Sequence, residues 1–172
     1  MQTERLFLRE RTPELRKKLL TLPLNEQLKF IGVDESRLQI ELKRIEKGFT
    51  NWKMDYKMWD LILLETNEVI GDCGFHSWYQ NHQRGELGYG LKEEFRQKGI
   101  MFEALIEILK YGFNEMNLNR VEAYISPNNL ASRSLVEKCD FVYEGHLRQH
   151  YNNKGTLDDS VVYGLLRSEF NS

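Results

Sequence analysis

Residues Arg96-Gln97-Lys98-Gly99-Ile100-Met101 put two cations and a glycine directly ahead of a strongly apolar helical segment. The first turn of a helix carries backbone N–H groups that have no intrahelical partner, at the positive end of the helix dipole. That combination suits a phosphate. Gly99 lets backbone approach a ligand where a Cβ would intervene. Arg96 and Lys98 add charge in the same turn. A solvated basic turn ahead of a core helix would have the same composition. The position of this one, between the strand Glu86–Leu91 and the helix, is what makes an anion site physical. The loop is not a P-loop, because Gly-x-x-x-x-Gly-Lys-Ser/Thr is absent. Nor is it a Gly-x-Gly-x-x-Gly dinucleotide turn after a first strand.

The elements that must hold this loop can be traced along the chain. Residues 3–10 alternate and read as an edge strand, with Leu6 and Leu8 on one face. Pro13-Glu14 opens a helix that Pro23 should break. A second helix covers about 34–48, capped by Asp34 or Ser36 and stopped by Gly48. Trp59–Leu64 and Val69–Phe75, joined by a tight polar turn, form a hairpin. The segment 79–84 is a further turn before the strand Glu86–Leu91. From Met101 to about Asn117, Leu105, Ile108, Leu109, Gly112, Phe113 and Met116 recur at three and four. Asn119–Ile125 is a strand, Asn128 or Asn129 starts a helix to about Cys139, and two strands near 141–151 and 157–166 close the chain. The helix between the two central strands is long enough for a parallel crossover. The expected fold is a single α/β domain over residues 1–172. Its mixed, mostly antiparallel sheet has about seven strands, with about four flanking helices.

The totals agree with a folded domain. The chain has 172 residues, 41% hydrophobic and 29% charged, with a net charge of −2. A charge balance of that sign argues against a general nucleic-acid binder. Cys73 and Cys139 form no C-x-x-C pair, and with the four histidines they make no zinc-like spacing, so no metal is expected. A reduced, cytoplasmic setting without membrane attachment is the simplest reading.

Three segments in order resemble the GNAT acetyltransferases, which hold acetyl-CoA. They are Glu86-Leu-Gly-Tyr-Gly-Leu91 with its loop, Pro127-Asn-Asn-Leu-Ala-Ser-Arg-Ser-Leu-Val-Glu-Lys-Cys-Asp-Phe141, and Asp158-Asp-Ser-Val-Val-Tyr-Gly-Leu-Leu166. With Arg5-Leu-Phe-Leu-Arg9 the likeness spans nearly the whole chain. It is nearest to the RimJ and RimL type, which acetylate the N-terminal alanine of ribosomal proteins. The resemblance implies a splayed pair of central strands. It implies that Gln97 to Met101 hold the CoA pyrophosphate, and that Gly90 and Leu91 pair with the pantetheine arm, with Asn129 hydrogen-bonding it.

Acetyl transfer to an amine needs loss of an N–H proton, a donor to the tetrahedral oxyanion, and a proton or hydrogen bond for the departing thiolate. Glu86 is the first candidate base, since it shares a face with Gly88 and Gly90 and the family often carries a working glutamate on this strand. His150 and Tyr151 are rivals on a late strand, and histidine has a suitable intrinsic pKa. Glu122 reads as structural, and Tyr124 stands where some relatives carry a base. Many relatives place a tyrosine acid where this chain has Val136. In the RimL-like branch a serine matching Ser132 is thought to stabilise the thiolate instead. The family's glycine before Phe141 is Asp140, which tolerates the left-handed conformation. The cysteines suggest no nucleophile, so direct transfer is expected. Most of the aromatics Trp52, Trp59, Phe75, Trp78 and Tyr79 should be core, with Trp78-Tyr79 able to line an acceptor cleft. The expected activity is acetyl transfer to a primary amine, a protein N-terminus or a small molecule, by a monomer or homodimer. A non-catalytic CoA-binding module is the alternative.

Overall fold

The computed structural model describes residues 1–46 and 55–171. Trp52 and the expected helix stop at Gly48 lie outside the described residues. The element order is β1 (Leu6–Glu10), α1 (Pro13–Leu19), α2 (Leu24–Ile31), α3 (Glu35–Glu46), β2 (Asp55–Leu63), β3 (Glu68–Tyr79), β4 (Arg84–Leu91), α4 (Ile100–Asn114), β5 (Arg120–Ile125), α5 (Leu130–Lys138), β6 (Val142–Asn153) and β7 (Thr156–Leu166). The strands form one seven-stranded sheet in the order β1-β2-β3-β4-β5-β7-β6. Among the described residues only β4 and β5 run parallel. Antiparallel pairs flank them on both sides.

The helices number five among the described residues, one more than the sequence pattern suggested. The extra helix is α2. Pro23 ends the first helical stretch as expected, yet it also sits at the N-cap of α2 with φ −59°, where a missing N–H costs nothing. Gly32 then closes α2 in the left-handed conformation, φ 71°. Of the two candidate caps of α3, Asp34 does the work: its Oδ1 accepts from the Arg37 amide at 2.9 Å.

Alternation along the strands divides the molecule. One face carries Leu8, Trp59, Leu61, Phe75 and Leu87, which pack with Ile108, Leu109 and Phe113 of α4 and Val136 of α5. The other face is covered by α1–α3 around a smaller cluster of Leu19, Ile31, Leu38 and Ile45. Between that cluster and the sheet lies a charged knot. Asp60 is fully buried and accepts from Arg9 Nη2 at 2.8 Å, Arg11 Nε at 2.6 Å and Arg16 Nη2 at 3.0 Å. Arg11 also reaches Asp72 at 2.7 Å. Burial pushes the Asp60 carboxyl up, but the three arginines outweigh it and hold it below the usual carboxylate range. The knot ties β1, α1, β2 and β3 into one unit. Its members fall within apparently ordinary strand and helix patterns, so nothing local in the sequence announces it.

Candidate active site

The central strands part. β4 and β5 pair only at Arg84 with Arg120, Gly85 with Val121 and Glu86 with Glu122. Beyond Glu86 the strand continues to Leu91 against β3 alone. A groove of about 1070 Å³ opens there and runs from Tyr89–Leu91 past Arg96–Phe102 to Asn129–Lys138 of α5.

The floor of the groove at the α4 start is backbone. Gly99 is the N-cap with φ 73°, and no side chain caps the helix. Gln97 is also left-handed, φ 60°. Left-handed residues in such a turn curl successive amides into a concave nest for an anion. The uncapped amides that follow face the same place. Arg96, Gln97, Gly99, Ile100 and Met101 line the groove. Lys98 is not among the lining residues: its ammonium lies 5.7 Å from the Phe95 ring. Its carbonyl accepts from Arg5 Nη1 at 2.9 Å. Arg5 also reaches Glu103 in the first turn of α4, through its backbone N at 2.9 Å and Nε at 2.6 Å. Arg5 thus latches the loop to β1, a role with no local sequence signal because its partners lie more than ninety positions away.

Across the groove, Asn129 caps α5 by accepting the Ser132 amide at 3.1 Å. Ser132 lines the groove, and its carbonyl accepts from Tyr89 OH at 3.4 Å. Val136 is buried in the core, as an aliphatic residue there should be. Asp140 takes the left-handed conformation, φ 65°. Both cysteines are buried thiols. Burial pushes Cys139 up to about 12 and Cys73 higher still, so neither is a ready nucleophile.

On the opposite face, toward α1–α3, stands Glu86. His76 Nε2 lies 2.8 Å from its Oε1, Tyr151 OH donates to the same oxygen at 3.4 Å, and Ser77 Oγ donates to Oε2 at 3.2 Å. Burial pushes the Glu86 carboxyl up, but these donors outweigh it and hold it below its ordinary value. A Cβ at Gly88 would run into the His76 ring, so the glycine is what lets His76 lie against β4. Glu122, by contrast, is neutralised by Arg84 at 2.5 Å and Arg120 at 2.9 Å.

His150 and Tyr151 arrive beside Glu86 through a bulge. Leu147 pairs with Ser160 and Tyr151 with Asp158, so three residues of β6 face Asp159 alone. Gln149 is left-handed there, φ 54°, and its amide donates to Asp159 Oδ1 at 2.8 Å. The His150 ring lies 5.1 Å from Tyr124 and 4.4 Å from Tyr151. Burial, then Glu86, push Tyr151 up to about 12, so the phenol stays protonated. The base candidates Glu86 and His150 are therefore neighbours joined by Tyr151, while Ser132 lies in the groove. Trp59 and Phe75 are buried, and Trp78 packs against the main core. Tyr79 lies under the Arg84 guanidinium at 3.9 Å. Among the described residues no cluster of three or more metal-ligating side chains occurs, and no helix is long and apolar enough to cross a membrane.

A parallel pair that parts after three residues, with an uncapped helix start following one of its strands, marks the α/β class of this domain. Residues 5–142 match the acetyltransferase (GNAT) domain family, and the chain belongs to that family, whose members take acetyl-CoA as cosubstrate. It is 41% identical over 110 residues to the uncharacterized N-acetyltransferase p20 of Bacillus licheniformis, spanning 64% of this chain and 62% of that protein. It is 28% identical to YoaA, an uncharacterized N-acetyltransferase of Bacillus subtilis, over 97% of this chain and 96% of that one. Similarity to the [ribosomal protein uS5]-alanine N-acetyltransferase of Escherichia coli is 29% over 59% of this chain and 53% of the relative. The fold matches the spermidine/spermine N-acetyltransferase SpeG of Vibrio cholerae with a TM-score of 0.71 at 21% identity, covering 95% of each chain. A GNAT-family acetyltransferase of Bacillus anthracis matches with a TM-score of 0.72 at 24% identity, over 98% of this chain and 99% of that one. At those identities the two structures speak for the fold alone.

Proposed function

We propose that this protein transfers the acetyl group of acetyl-CoA directly to a primary amine. The observation that carries the reading is the gap between β4 and β5. It opens just past Glu86, the last residue of β4 paired with β5, where the groove at the 97–101 turn begins. The residues fit CoA: uncapped amides for the pyrophosphate, the free edge of Gly90–Leu91 for an amide-bearing arm, and Ser132 beside it. Acetyl-CoA supplies the activated acyl carbon.

The acceptor arrives as an ammonium, which has no lone pair until it loses a proton. Glu86 is held low, so complete transfer to it is uphill by several pKa units, at about 1.4 kcal/mol each. Glu86 therefore acts as an anionic anchor and as a relay to water. The freed nitrogen lone pair forms the C–N bond, and the C–S bond then breaks with its electron pair on sulfur. Ser132 Oγ–H is the nearby donor for that sulfur. One N–H proton leaves through Glu86 to solvent and the second ends on the departing thiol.

The uS5-alanine relative points to a peptide N-terminus as the acceptor, and a small-molecule amine is the other class that an ammonium site can take. Thiol release from acetyl-CoA with alanyl peptides and with spermidine tests the reading. Acceptor-dependent release is expected. CoA binding without release for any amine would favour a CoA-binding module, a reading that the buried Val136 in place of a tyrosine acid lends some weight.

A further inference from the structure

The carboxylates on the Glu86 face differ in one respect. Asp60, Asp72 and Glu122 are each paired with arginine. Glu86 takes neutral hydroxyl donors and a histidine, and among the described residues no lysine or arginine pairs with it. Beside it stand three rings from two strands: Tyr124 of β5, and His150 and Tyr151 of β6. The β6 bulge, pinned by Asp159, contains His150 and is followed at once by Tyr151. The side chain of Tyr151 is anchored by its hydroxyl on Glu86 while the residue stays about half exposed, at 47%. Electron-rich ring faces beside a carboxylate that a histidine engages, with no arginine or lysine upon it, are the chemistry that binds an organic cation.

We propose that Tyr124, His150 and Tyr151 form with Glu86 an aromatic recess that recognises the acceptor as an alkylammonium cation. This rests on the reading of Glu86 as the acceptor-side carboxylate and adds the class of group that the site selects. Arg84, two residues before Glu86 on β4, is occupied by Glu122 and by the Tyr79 ring, so it does not compete for the recess. A recess that holds the ground-state cation acts on binding more than on the chemical step. The three rings are therefore specificity-determining rather than catalytic, and Glu86 alone also moves the proton.

The probes are choline and its uncharged isostere 3,3-dimethylbutanol, titrated calorimetrically into the full chain. Choline should bind and the isostere should not. Tyr151→Ala and Tyr124→Ala should each weaken choline by about fivefold or more, while Tyr151→Phe, which keeps the ring, should stay within about twofold of wild type. In turnover assays the alanine variants should raise the acceptor KM with little change in kcat. Equal binding of the two probes, or wild-type choline affinity in both alanine variants, would overturn the recess. Choline binding that follows this pattern in a protein releasing no thiol with any amine would overturn the transferase reading and leave the recess standing.

Discussion

The groove proposed for the donor and the face proposed for the acceptor are built by different means. In the groove the working groups are backbone: the amides of Gln97 to Met101, two left-handed residues, and the unpaired edge of β4. On the acceptor face they are side chains brought from afar, such as Tyr151 onto Glu86 across 65 positions and Arg16 onto Asp60 across 44. A backbone site needs only a short local motif and tolerates varied side chains. A side-chain site depends on every partner and can be retuned residue by residue. One fold can thus keep its donor while changing its acceptor.

The sharpest way to break this contrast is Asp60→Asn. It leaves three guanidinium groups around a neutral amide and should cost about 3–5 kcal/mol, read as a fall in the melting midpoint. The sign with pH follows from the depressed carboxyl. The stability that Asp60 contributes is present above the unfolded carboxyl value of about 3.9 and is lost as pH falls through the lower folded value, so the variant should lack that acid limb. Gly99→Val strains a left-handed N-cap and displaces the nest; CoA affinity measured by calorimetry should drop about tenfold or more with the core intact. Ser132→Ala should lower kcat about tenfold or more if its hydroxyl meets the thiolate, with the melting midpoint little changed. Arg5→Ala loosens the latch on Lys98 and Glu103 and should weaken CoA only a few-fold, because the Arg5 side chain is 42% exposed. A strong loss of CoA binding in Asp60→Asn under conditions where it stays folded would erase the distinction between the two regions.

The same contrast explains what the sequence could say. The strand order around β4 and β5, the loop and the Asn129 cap are legible from spacing and residue type, and the left-handed Asp140 from the resemblance, since it stands at the family's glycine. α2 was hidden because Pro23 reads equally as a terminator and as a cap. Arg5 was hidden because a latch between residues 5 and 103 leaves no periodic trace. Glu86, His150 and Tyr151 stood out as separate candidates, but their meeting depends on the Gln149 bulge, which the strand pattern does not encode. The local geometry of the groove could therefore be read in advance, and the Glu86 cluster only as a set of rivals.

Glu86→Gln, assayed for both CoA affinity and acceptor-dependent thiol release, tests the division most directly. The side chain keeps its shape and loses its charge. CoA affinity should match wild type while kcat/KM for the amine falls about a hundredfold. Wild-type turnover, or a parallel loss of CoA binding, would contradict the account.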